Sequence, residues 1–300
     1  MPRVVVVVRG PWFADAVESR FTPEEPDYPP PVLHTFEAFA GTLRERAAAG
    51  EAVPYDSNGY RLVGFEASAD GLILSFSPTT YYRAIATNAR LDAPLDVGGD
   101  TRTLRERYAT DVDLRVGPVP ELPVFWSVGV SIVTSDGWLL VSQRGATALD
   151  PDVCGPAMAE GANRELDADA TGAPDQLGVV RRGLLEELGI GLGPDELTWL
   201  SLSASADTLH YALIGRVDTP LTLREVESRA AGATDAWETK QLLAVEFSPG
   251  AVARFCADRQ FSAFGLATVV NTLLHEYGEA RTVATFGGEI VGVTSQCRTD

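Results

Sequence analysis

Residues 181–190 read Arg-Arg-Gly-Leu-Leu-Glu-Glu-Leu-Gly-Ile. The adjacent Glu186 and Glu187 follow a Gly-, Asp- and Pro-rich stretch over residues 145–174. Carboxylates at helical spacing beside such a loop suit a hard divalent cation. Magnesium takes oxygen ligands, keeps several waters and bridges to phosphate oxygens. Leu177, Val180, Leu184 and Leu188 recur every three or four residues and predict a helix over 176–188. Asp175 is placed to cap its start and Gly189 its end. Arg182, Gly183, Glu186 and Glu187 then lie off the apolar face, with 183, 186 and 187 as neighbours. The same pattern also reads as a plain solvated acidic face.

Other residues compete for a role. Arg144 ends an apolar run and is placed either to reach a phosphate or simply to sit on the surface. His34, His210 and His275 are scattered, so each reads as an ordinary core or surface histidine. Cys154, Cys256 and Cys297 are too far apart for a metal cluster or a disulfide framework. Cys154 reads as a buried apolar residue rather than a nucleophile. Trp126, Trp138 and Trp237 have the chemistry to stack on a base, but core packing is the commoner fate of tryptophan.

The balance of 24 basic against 42 acidic residues, a net charge of −18, repels polyanions over most of the surface. This predicts no nucleic-acid partner and no membrane partner, and leaves a small-molecule ligand. A phosphate-bearing ligand would need a local device, such as a carboxylate-held metal. The valine run at residues 4–8 is too short for a membrane span, and no longer apolar stretch replaces it. Three unpaired cysteines point to a reduced, cytoplasmic compartment.

Around these residues the hydrophobic pattern predicts a buried strand at 3–9, stopped by Gly10-Pro11, and a rigid connection at 23–31. A helix at 35–49 with Thr35 as N-cap follows, then strands at 60–65 and 72–76 and a helix at 101–109. The Pro/Gly-rich residues 116–122 mark a boundary, giving an N-terminal α/β module over 1–118 and a second domain over 119–300. The second domain opens with a hairpin, 125–134 and 138–143, around Ser135-Asp136-Gly137. Further strands at 197–202, 209–217 and 242–247 mix with helices at 222–230, 249–257 and 264–277. The irregular mixture predicts an α+β fold with a mixed sheet between helices.

The 181–190 segment resembles the signature of the Nudix hydrolase superfamily, G-x5-E-x7-R-E-U-x-E-E-x-G-U with U apolar. Arg182, Leu184, Glu186, Glu187, Gly189 and Ile190 match its second half, and residues 154–161 look like the Gly-rich strand and loop that open it. The likeness covers about residues 125–277. Two departures stand out. Gly183 occupies the place of a glutamate, and fourteen residues separate Asp167 from Arg182, where the pattern has seven. The nucleoside diphosphate-sugar pyrophosphatase branch is similar in having an N-terminal module with a Tyr…Thr-Asn segment, here Tyr81, Tyr82, Thr87 and Asn88.

The resemblance implies a Nudix-type mixed sheet sandwiched between helices, and metal-dependent hydrolysis of a nucleoside diphosphate linked to another moiety. Glu186 and Glu187 would hold Mg²⁺ or Mn²⁺. Glu238 would replace the carboxylate missing at 183, with Glu160 and Glu165 as further candidates. Arg182 would brace the Gly-rich loop, and Arg144, Tyr82, Thr87 and Asn88 would contact substrate. A glutamate restored at 183 would strengthen metal binding. The alternative is a Nudix-fold module that senses a nucleotide without turning it over.

Overall fold

The computed structural model describes residues 3–286 apart from 52, 54, 69, 96–100, 146–151, 194 and 235–238. The valine run builds β1 (Val4–Phe13), which continues through Gly10 and Pro11 instead of stopping there. Its pairing resumes at Trp12 and Phe13 after a register irregularity. A short strand β2 (Val17–Phe21) follows. Helix α1 (Pro30–Ala48) starts five residues before the sequence-based expectation. Prolines at the first helical positions cost nothing, because those N–H groups have no partner within a helix. Thr35 is therefore interior, and its hydroxyl donates to the Pro31 carbonyl at 2.9 Å. Strands β3 (Asn58–Ala67) and β4 (Leu72–Thr80) form the expected hairpin. Together with β2 they make a three-stranded sheet in the order β2-β4-β3. Helices α2 (Tyr81–Thr87) and α3 (Leu104–Tyr108) complete this region.

The second region contains β5 (Trp126–Val133), β6 (Trp138–Arg144), β7 (Cys154–Gly155), β8 (Met158–Gly161) and α4 (Gln176–Leu188). Then come β9 (Leu197–Ser205), β10 (Tyr211–Asp218), α5 (Leu223–Ala230) and β11 (Thr239–Glu246). The last described elements are α6 (Pro249–Ala257), α7 (Ala263–Tyr277) and α8 (Glu279–Phe286). The large sheet runs β1-β9-β10-β5-β6-β11, with β7 on β6 and β8 on β5. Within this sheet, among the described residues, β10 and β5 pair in parallel and the other pairs are antiparallel.

Alternation along the strands sorts side chains onto two faces. Val128, Val130, Ile132, Leu213 and Val217 join Val180, Leu184 and Leu188 of α4 and the core of the small sheet. Leu139, Val141, Ala212 and Ile214 instead meet Leu266, Val269, Val270 and Leu273 of α7. The fold is thus α+β, a mixed sheet between helices. The expected boundary at 118/119 is crossed, because β1 is an edge strand of the large sheet rather than part of the small one. Among the described residues no helix is long and apolar enough to cross a membrane.

Candidate functional site

Helix α4 spans 176–188 as its periodicity predicts. The Asp175 carboxylate accepts the Gly178 N–H at 2.9 Å, and Gly189 closes the helix at φ 63°. Its buried side is turned from the expected one. Leu177 is only half-buried, whereas Gly183 and Glu187 are buried. The cause is strand β8, which crosses the helix at Gly183. A Cβ there would lie 2.7 Å from both Glu160 Cγ and Met158 Sδ, so the strand can lie this close only over a glycine. Glu187, one turn on, follows it inward and is 8 % exposed. Glu186 points about 100° away, and its side chain is 34 % exposed. The expectation that both glutamates lie off the core is corrected for Glu187, and a third helix carboxylate at 183 would have to displace the Met158 and Glu160 side chains.

Arg182 gathers the remaining acids. Its guanidinium donates to both oxygens of Asp167 at 2.9 Å and to Glu186 at 2.8 Å, and lies 3.4 Å from Glu160. Burial works against its charge, but the Asp167 hydrogen bonds and the charges of Glu160 and Asp167 outweigh burial and raise its pKa. Asp167 is almost wholly buried and also accepts the Asn163 N–H at 2.7 Å. The loop between Asp167 and α4 folds on itself. Asp169 accepts the N–H groups of Thr171 and Ala173, and the Asp175 N–H reaches the Asp167 carbonyl. The surplus length before Arg182 is thereby absorbed, and Asp167 still reaches the arginine. Tyr60 of β3 donates to the Gly172 carbonyl at 2.9 Å, tying this loop to the small sheet.

Glu238 lies outside the described residues, as does Trp237. Glu165 accepts a hydrogen bond from the Asn58 amide, away from Arg182. Among the described residues no three His, Cys, Asp or Glu side chains are grouped to hold a metal ion. Cys154 and Cys256 are buried and unbridged, and burial pushes the Cys256 thiol up to about 12. Trp126 is a core residue whose indole donates to Gln176 at 3.0 Å.

Beside the carboxylates lies a cavity of about 460 Å³. It opens where β5, β8 and β10 meet the N-terminus of α7, and α2 with the residues after it closes the other side. Glu160 belongs both to the Arg182 cluster and to this wall. Of the expected substrate contacts, Arg144 and Asn88 line the cavity, whereas Tyr82 and Thr87 do not. Tyr82 packs edge-on against Phe39 of α1, and Thr87 is fully buried with its hydroxyl bonded to the Arg83 carbonyl. Asn88 donates to the Thr208 carbonyl at 2.9 Å and so pins the turn between β9 and β10.

That turn carries a residue passed over in the sequence. His210 lines the cavity between Phe125 and Phe264, with ring centroids 5.6 and 5.0 Å away. Its Nε2 is sealed from solvent without a hydrogen-bond partner. Burial, helped by the Arg144 charge, pushes its pKa down to about 4, so the ring is neutral at pH 7. Leu209, just before it, has φ 55°, a left-handed conformation that strains a branched side chain. No spacing pattern could have found this group, because residues 88, 144, 210 and 264 are brought together by the tertiary fold alone.

No protein-family model matches the chain, and no curated protein matches it. Among solved structures, the crystal structure of DR0079 from Deinococcus radiodurans is similar at a TM-score of 0.34 and 13 % identity. The match covers 48 % of this chain and 80 % of that one, a likeness too loose to carry fold or function.

Proposed function

We propose that the chain is a Nudix-type, metal-dependent hydrolase of a nucleoside diphosphate linked to another moiety, such as a nucleotide sugar. The observation that supports it best is Glu160. It joins the carboxylates around Arg182 to a cavity that also presents the Arg144 guanidinium. Carboxylate oxygens next to a phosphate-binding cation are what diphosphate cleavage needs. Glu186 and Glu187 would hold Mg²⁺ or Mn²⁺. Magnesium commonly takes one or two carboxylates and completes its shell with water and substrate phosphates, so a set smaller than three fits it. When bound, such an ion neutralises phosphate charge and makes water a better nucleophile. Arg182 holds Glu186 in place, and Arg144 would orient the phosphate. Two unbridged cysteines among the described residues accord with a cytoplasmic location.

A nucleotide-sensing module without turnover is the second reading. It is favoured by the closed space at Gly183 and by the hold of Arg182 on Glu186. Incubating the protein with Mg²⁺ and a panel of nucleotide sugars, and measuring released nucleoside monophosphate, separates the two. The hydrolase reading expects turnover that stops in EDTA and falls about 10²-fold in Glu186→Gln. No turnover on the panel, or undiminished turnover in chelator, overturns it.

A further inference from the structure

We propose that the cavity is a base pocket, in which His210 hydrogen-bonds the edge of a nucleobase while Arg144 takes the phosphate of the same nucleotide. This rests on the reading above only in taking the ligand to carry a phosphate.

The lining favours a base over a sugar. Tyr81, Phe125 and Phe264 supply aromatic surface, and Ala84, Ile85 and Val128 supply aliphatic surface. A heteroaromatic ring has two apolar faces and a polar edge, which suits such walls. A sugar carries hydroxyls all round, and those facing these rings and aliphatic walls would go unpaired.

His210 is the polar group set among these rings. Neither of its ring nitrogens has a hydrogen-bond partner among the described residues, and only Nε2 is sealed from solvent. A polar group left unpaired in an apolar setting is unfavourable. The left-handed backbone of Leu209 adds strain at the neighbouring position. Several contacts hold the turn in this form. Asn88 donates to the Thr208 carbonyl, Arg105 to the Ala206 carbonyl at 3.1 Å, and Arg3 to Asp207. Both features sit at one residue that faces a cavity, and Nδ1, the ring nitrogen that is not sealed, is the one a ligand edge can bond.

Charge divides the labour. His210 is neutral at pH 7, so it matches an uncharged edge rather than a phosphate. Arg144 lines the same cavity, has no ion pair among the described residues, and is near enough for its charge to act on His210. In a chain of net charge −18 such a guanidinium is where an anion can bind.

The test measures binding by titration calorimetry, without metal, of AMP, GMP, CMP, UMP and ribose 5-phosphate. The expected result is that at least one nucleotide binds about tenfold or more tightly than ribose 5-phosphate. His210→Phe, which keeps an aromatic ring beside Phe125 and Phe264, should erase that advantage and leave ribose 5-phosphate binding unchanged. Arg144→Gln should weaken every probe. His210→Gln, still able to hydrogen-bond, checks that any loss in the phenylalanine variant comes from the missing polar group, and melting curves check that each variant is folded. If no nucleotide surpasses ribose 5-phosphate, or if folded His210→Phe keeps the advantage, the proposal is overturned. Nucleotide binding without hydrolysis of any nucleotide sugar would leave it standing and overturn the hydrolase reading alone.

Discussion

Gly183→Ala puts the packing of α4 against β8 to the test. In an exposed helix this change stabilises by about 1 kcal/mol, because alanine loses less backbone freedom. Here the new Cβ would meet Met158 Sδ and Glu160 Cγ at 2.7 Å and Met158 Cγ at 3.0 Å. Carbon contacts are comfortable at about 3.5–4.0 Å, so the neighbours must give by close to an ångström. Met158 is fully buried, so moving it disturbs the core packed around it. Overpacking of this kind costs about 1–3 kcal/mol, which leaves a net loss of roughly 1 kcal/mol. Gly183→Glu should lose about 3 kcal/mol or more, because it also presses a charge against Met158 beside Glu160. Urea unfolding midpoints of the two variants measure both numbers. In a Met158→Ala background, Gly183→Ala should become neutral or stabilising, so the two changes should couple by about 1 kcal/mol or more. A parent made more stable by Gly183→Ala alone would refute the close approach. It would also reopen position 183 to a third carboxylate.

Arg182→Met should destabilise by about 3–5 kcal/mol, because it strands the buried Asp167 carboxylate, and adding Asp167→Asn should recover much of the loss. Denaturant unfolding of the two singles and the double checks this, and purely additive losses would contradict it. His210 binds its proton near pH 6.5 when unfolded and near 4 when folded. Between these values the unfolded chain holds more protons, so stability falls as pH falls, by up to about 3 kcal/mol. His210→Phe should remove that part of the slope between pH 6.5 and 4.5, and unfolding curves that stay parallel to the parent's across this window would contradict it.

Much of α4 was legible because its signals are local. A cap at Asp175, a leucine and valine repeat and a left-handed glycine at 189 all act within a few residues of the chain. The hairpin of β5 and β6 was legible for the same reason, since Gly137 allows the turn and alternation marks the two faces. The start of α1 was misplaced, because prolines that read as a linker are also good first residues of a helix.

What the sequence alone determined was therefore the α+β class, the capped helix and which residues carry charge within it. The tertiary structure decided what those charges do. Only the crossing of β8 over Gly183 turned Glu187 inward, and only the folding back of the 163–175 loop brought Asp167 to Arg182. The pairing of β1 with β9 carried the first residues into the large sheet, across a boundary that composition had marked. The cavity is the extreme case, since Asn88, Arg144, His210 and Phe264 share no local pattern. Local backbone preference and capping act over a few residues, whereas close packing between distant segments depends on shapes that exist only once both have folded.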